Sequence, residues 1–283
     1  MTNRPTRETV AGRAYLDLQN LARRRRRPTD ELHQIYALEG FLARLAVSAY
    51  RDSFILKGGV LLAAYNSRRP TRDVDLQAQQ THNDETQILN IIRSIADLTL
   101  DDGLEFDVDG AAAQTIRETD AYSGVRVTLA GRLSAAKLSL HVDVGDPIHP
   151  PQRIVLPRLL HGDITLNGYP LPMILAEKLV IAMQRGTTNT RWRDFADIYT
   201  LIRRHDVDPR ELTEAIEHVT RHRLVRPSPL REVLDGFEEL GQRRWTAWRR
   251  KQQLETSLPE SFGEVLRAVC AFADPVLDEL SRN

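Results

Sequence analysis

An α+β fold is what this sequence predicts, with strands concentrated in the middle of the chain and helices before and after them. Three observations carry that expectation. Residues 10–50 repeat apolar side chains at helical spacing, residues 54–56, 73–76 and 136–144 carry strand signatures, and from residue 173 the pattern is helical almost to the end. The shifts divide the chain into N-terminal helices (1–50) packing on a core (51–165), followed by a C-terminal helical domain (166–283). The proline-rich stretch 150–172 marks the junction.

The bulk numbers narrow the class. With 283 residues the chain can bury a sizeable core, and 41% hydrophobic with 28% charged residues is ordinary for a globular protein. Formal net charge is zero, so any attraction to nucleic acid must come from local patches. Cys270 is the single cysteine, which rules out an intrachain disulfide or a cysteine-based zinc site. The first residues, MTNRPTRETV, hold no apolar signal-peptide core. No apolar run approaches the roughly 20 residues a bilayer span needs. A cytoplasmic protein with no membrane partner is the expectation.

In chain order, Pro28 followed by Thr29 and Asp30 separates two N-terminal helices. Arg23, Arg24, Arg25, Arg26 and Arg27 close the first. Two readings stand for this run: a solvated face complementing the helix dipole, or a contact to RNA phosphates. Next comes FILKGGVLLAAYNSRRPTRDVDL, residues 54–76, around which the chain is organised. Phe54, Ile55 and Leu56 form a buried strand and Lys57, Gly58 and Gly59 a turn. Residues 60–65 make a helix whose first amides suit a phosphate, and glycines let a phosphate approach the backbone closely. In Asp73-Val74-Asp75-Leu76 the alternation puts both aspartates on one strand face, with Val74 and Leu76 on the other. Two adjacent carboxylates repel, an arrangement that makes sense around hard divalent cations and a triphosphate.

Residues 81–95 read as a helix, and residues 104–109 as a strand running out at Gly110. The second Asp-Val-Asp, at Asp107 and Asp109, follows no glycine pair and helix, so a solvent-facing strand end is expected there. Residues 122–129 and 136–144 read as neighbouring antiparallel strands. In the latter, Leu138, Leu140, Val142 and Val144 share one face, and Lys137, Ser139, His141 and Asp143 the other. Beyond the junction, a helix over 173–185 carries Glu177 and Lys178, and one over 191–203 carries Asp194 and Asp197 on one face. Read as residues alone, a lysine and an aspartate on adjacent helices are a surface ion pair worth little. The stretch QRRWTAWRRKQQ, residues 242–253, reads as a core stripe of Trp245 and Trp248 with arginines around it. RNA contact is the other reading.

Gly58-Gly59, the thirteen residues 60–72 and then Asp73-Val74-Asp75 resemble the first motif of the DNA polymerase β-type nucleotidyltransferases. RRPTRDVDL looks like the version in AbiEii/AbiGii toxins, the MenT type among them, and LHVDVGDPIHP resembles their strand and Gly-Asp turn. Ala176-Glu177-Lys178-Leu179 and Arg191-Trp192-Arg193-Asp194-Phe195-Ala196-Asp197 are similar to two further motifs of that family. The resemblance spans roughly residues 54–202. It implies a mixed sheet with flanking helices and two Mg²⁺ ions, or Mn²⁺, on Asp73, Asp75 and Asp143. It also implies nucleotide binding through Lys57, Gly58, Gly59, Lys178 and Asp194, with Asp197 a catalytic carboxylate beside Lys178. The reaction it implies transfers NMP from an NTP to RNA, the tRNA 3′ end, which blocks translation. The protein would then be a toxin with a cognate antitoxin as partner. An RNA acceptor predicts a basic surface, for which the five-arginine run, Arg68, Arg69, Arg72 and Arg191 are candidates.

Three alternatives remain open on the residues alone. One is a nucleotidyltransferase acting on a small molecule such as an antibiotic. Another is a nucleic-acid-binding module that no longer turns over. The third, transfer of a γ-phosphate, finds no P-loop signature in the chain.

Overall fold

The computed structural model describes residues 4–79, 84–119, 122–145 and 150–282. They belong to two units, residues 1–169 and 170–283. The first opens with α1 (Val10–Arg25), whose N-cap Thr9 accepts a hydrogen bond from the Gly12 amide. Arg26 ends it in the left-handed conformation. After Pro28, α2 (Thr29–Val47) is buried along most of its length, including Leu32, Ile35, Leu38, Phe41, Leu42 and Leu45. Two of its buried side chains are charged, Glu39 and Arg44. Arg44, 1% exposed, forks onto Asp102 at 2.6 and 3.1 Å and also donates to the carbonyls of Gly40, Leu98 and Leu104. A buried cation is tolerable only with its donors answered in this way.

The sheet follows: β1 (Phe54–Lys57), α3 (Gly58–Leu61), β2 (Asp73–Ala78), α4 (Glu85–Ala96), β3 (Leu104–Thr119), β4 (Tyr122–Leu133), β5 (Ala136–Gly145), β6 (Gln152–Leu156) and β7 (Ile164–Gly168). The strand order is β3-β4-β5-β2-β1-β7-β6. The β2–β5 and β1–β7 pairs are parallel and the others antiparallel, so the sheet is mixed, as expected. On β5 the alternation holds: Leu138, Leu140, Val142 and Val144 are buried, and Lys137, Ser139, His141 and Asp143 lie on the more open face.

Three local expectations are corrected. The helix after the glycine pair starts at Gly58, keeps α geometry for only four residues and tightens to a 3₁₀ turn over Leu62–Tyr65, so it supplies little dipole. The strand from Leu104 does not end at Gly110. It passes through a register shift between Asp107 and Ala112, where Asp107 Oδ1 accepts from the Gly110 amide at 3.0 Å, and runs on to Thr119. A bulge lets a strand absorb an Asp-Val-Asp-Gly run and continue. Of the helix read over 81–95, residues 81–83 lie outside the described residues, Asp84 is the cap and the helix runs from Glu85. Residues 146–149 of the Gly-Asp turn, including Asp146 and His149, lie outside the described residues.

The second unit is helical: α5 (Leu171–Arg185), α6 (Trp192–Ile202), α7 (Pro209–Arg223), α8 (Leu230–Val233), α9 (Phe237–Lys251) and α10 (Phe262–Arg282). Its centre is aromatic, with Phe262 edge-on to Trp192, Phe195 and Phe237 at centroid distances of 5.3, 5.6 and 5.2 Å. Trp245 is fully buried and donates to the Pro259 carbonyl at 3.1 Å, and Arg249 is buried on the Leu258 carbonyl. The core reading therefore describes Trp245. Among the described residues no helix is long and apolar enough to cross a membrane.

Candidate active site

Period-2 geometry and strand register build the site. Val74 and Leu76 are both fully buried, which turns Asp73 and Asp75 to the opposite face of β2. Parallel pairing sets Asp75 against Asp143 and Asp73 against His141. Antiparallel pairing sets Lys57 against Asp75 on one side and Arg126 against Asp143 on the other. Four neighbouring strands thus present one row in the order Lys57, Asp75, Asp143, Arg126, two carboxylates between two cations. Side chains directly opposed on a sheet stand about 5 Å apart, close enough for the inner two to repel and for each cation to act on its neighbour. Arg126 closes on Asp143 as a fork, Nε to Oδ1 at 2.7 Å and Nη2 to Oδ2 at 2.6 Å. In the next row Thr128 Oγ1 and His141 Nδ1 share a hydrogen bond of 3.1 Å.

Burial among these groups pushes the Asp75 carboxyl up to about 6. Lys57 opposes the shift, Asp143 and Asp73 add to it, and Arg69 opposes it further. The glycine pair is part of the same packing. A Cβ on Gly58 would fall 1.9 Å from Asp75 Oδ2, and its φ of 68° lies in the left-handed region. A Cβ on Gly59 would meet Thr71 Oγ1 at 2.7 Å and the Arg69 guanidinium at 3.0 Å. The pair lets the turn close down over the β2 aspartates.

In donor chemistry the face suits a hard divalent cation: carboxylate oxygens, and an Asp75 whose ionised form is disfavoured as the site stands. Yet among the described residues no group of three or more His, Cys, Asp or Glu is arranged to hold a metal ion. Both oxygens of Asp143 are instead taken by Arg126.

In the second unit α5 and α6 bring together the other predicted residues. Lys178 Nζ donates to Asp194 Oδ1 and to Asp197 Oδ2, each at 2.8 Å, and Arg191 Nε lies 3.3 Å from Asp194 Oδ2. The two aspartates, three residues apart, share a face of α6, and Asp197 is 6% exposed. This is a well-buried cluster, unlike the exposed pair that spacing alone suggests.

The candidate arginines divide by environment. Arg23, Arg24, Arg25, Arg26 and Arg72 are exposed, and Arg27 forks onto Glu31 at 3.0 and 2.5 Å. Arg69 donates to the Pro70 carbonyl at 3.2 Å. Arg68 pairs with buried Glu39 and donates to the Pro157 carbonyl, while Glu39 also accepts the Leu159 amide at 2.8 Å. The Arg68 guanidinium thereby fastens residues 157–159 to α2. Arg126 is the residue that sequence reasoning missed. Its only signal was a place on the strand next to β5, and which residue faces Asp143 depends on a register the sequence leaves open.

Residues 40–268 match the family model described as nucleotidyl transferase AbiEii toxin, type IV TA system. The chain belongs to that family, and with it to the toxin nucleotidyltransferases of toxin–antitoxin systems. A search of curated proteins gave no match. Among solved structures the fold is similar to MenT4, nucleotidyltransferase toxin Rv2826c from Mycobacterium tuberculosis H37Rv. That similarity has a TM-score of 0.54 at 17% identity, over 95% of this chain and 98% of that one. JHP933 from Helicobacter pylori gives 0.50 at 14% identity, over 89% and 94%.

Proposed function

We propose that this nucleotidyltransferase moves a nucleoside monophosphate from an NTP to an RNA hydroxyl, the 3′ end of a tRNA, and so halts translation in the cytoplasm until a cognate antitoxin restrains it. The observation that carries the chemistry is the row of Lys57, Asp75 and Asp143 beside Asp73 under the Gly58-Gly59 turn. The tRNA acceptor and the antitoxin rest on the motif resemblance and the family.

In this reading the acceptor oxygen attacks the α-phosphorus in line. The new P–O bond forms as the bond to pyrophosphate breaks, and the acceptor's proton passes to a carboxylate of this face, Asp143. Asp73 and Asp75, with Asp143, would hold Mg²⁺ or Mn²⁺, which when bound neutralises phosphate charge and lowers the acceptor's pKa. Gly58 and Gly59 admit the triphosphate against the backbone, and Lys57 faces it from β1. Lys178 is assigned to a phosphate, with Asp194 and Asp197 fixing its ammonium. Positioning and charge neutralisation supply most of the catalysis. The exposed Arg23, Arg24, Arg25, Arg26 and Arg72 are the arginines best placed to meet RNA; Arg27 and Arg68 hold the chain itself.

The test is incorporation of label from each α-labelled NTP into total tRNA, by wild type and by Asp73→Ala and Asp75→Ala. Label in the tRNA band with wild type, reduced at least about a hundredfold in either variant, is the expected result. Pyrophosphate released without any label in RNA would shift the acceptor to a small molecule. Charge reversal across the exposed arginines tests the RNA surface: it should weaken labelling and flatten its salt dependence.

A further inference from the structure

The pair between Arg126 and Asp143 has no part in the proposed chemistry, yet it is a closed fork of two short hydrogen bonds on that face. Both Asp143 oxygens are taken, and the guanidinium is held above its ordinary range first by the Asp143 hydrogen bonds and then by the fields of Asp143, Asp73 and Asp75. The charge arithmetic explains why a cation belongs there. Asp75 and Asp143 are register partners on parallel strands with Asp73 one row away, and from the opposite flank Lys57 faces the row, with Arg69 also acting on Asp75. Without Arg126 the metal-free face would hold three carboxylates against Lys57 and Arg69, both of which act on Asp75, and no cation would close on Asp143 from β4. A bidentate arginine meets that need in the way a divalent ion would, with a charge matched to two oxygens. The Arg126 side chain is still 32% exposed, so it can leave without unpacking the core.

We propose that Arg126 is a positioning residue that acts as the internal counter-ion of Asp143, and that a divalent cation must displace its guanidinium before Asp143 can join the metal site. The inference rests on the reading of Asp73, Asp75 and Asp143 as the cation-holding carboxylates. Arg126 then keeps the empty site folded and at the same time competes with the cation for it.

The experiment is a Mn²⁺ titration of the full chain without nucleotide, followed by the electron paramagnetic resonance of free Mn²⁺, on wild type, Arg126→Met, Arg126→Lys and Asp73→Asn. Thermal unfolding is measured in parallel in chelator and in excess Mn²⁺. Removing the competitor should tighten Mn²⁺ binding roughly fivefold in Arg126→Met, as expected for losing a partly exposed ion pair. The same variant should melt below wild type in chelator and close that gap in Mn²⁺. Arg126→Lys keeps a charge but not the fork, and should tighten binding by a smaller factor. It decides the matter if the Met variant does not fold. Equal or weaker Mn²⁺ binding in the variants overturns the proposal, because a residue that merely braces the site would give that result. Failure of the underlying reading looks different: wild type binds no Mn²⁺, or Asp73→Asn binds it as well as wild type, and the proposal falls with it.

Discussion

Asp75 is the residue at which the site strains against the fold. Its carboxyl titrates at about 6 against an ordinary 3.8, burial being the first cause, so the folded protein holds that proton more tightly than the unfolded chain. A raised carboxyl costs nothing below the unfolded value. The stability it gives by binding a proton is lost as pH rises through the folded value, and above about 6 the full cost of ionising it is present. Asp75→Asn should therefore stabilise the metal-free protein at about pH 8 by an amount on the order of 1–3 kcal/mol, while abolishing transfer. Urea denaturation in chelator checks this: the gain should shrink as pH falls through the folded value and vanish below the unfolded one. The aspartates were legible in the sequence because alternation with Val74 and Leu76 fixes their face. Their neighbours were not, since Lys57 meets Asp75 from β1 and Arg126 meets Asp143 from β4, and both pairings depend on register.

Among the elements, α2 is the one whose buried polar chemistry is least like its surface. Arg44 and Asp102 lie 2% and 4% exposed in their side chains and tie the helix to the turn before β3. Removing one partner leaves a buried charge unanswered, so Arg44→Met should cost about 3–5 kcal/mol in urea denaturation. The double variant Arg44→Met, Asp102→Leu should recover part of that loss. From sequence, α2 was readable as a helix because its apolar residues recur at helical spacing, but no periodicity announces that an arginine belongs inside. The long strand β3 was cut short at Gly110 for a related reason. A bulge is set by pairing with β4, and the local run Asp-Val-Asp-Gly carries only the turn signal. The helix α3 fell the other way: apolar residues 60–65 predict a helix, and the structure starts it at Gly58, packed against Asp75, and ends it in a 3₁₀ turn.

At the scale of the molecule, the second unit has a core of its own around Trp192, Phe195, Phe237, Trp245 and Phe262. Residues 170–283 expressed alone should fold, with a cooperative thermal transition and the near-ultraviolet dichroism of packed tryptophan; a broad, non-cooperative melt would count against it. The helical character of this region was plain in the sequence. That Asp197 works beside Lys178 was carried by motif resemblance; that the two are buried together with Asp194 was not legible, since spacing alone describes a surface pair. In the first unit the two inner strands of the site, β2 and β5, are parallel neighbours separated in the chain by β3 and β4. Such a pairing cannot form until the later strand exists, and long-range strand closure is slow. During synthesis the chain thus carries Asp73 and Asp75 for the whole time that β3 and β4 are being made, with nothing beside them to complete the row. On the proposed reading, a product cut short anywhere before β5 should transfer no label to RNA. With β5 ending at Gly145, the ribosome has read only about half of the 283 residues when the row can first close, and it is still building the helical unit after that.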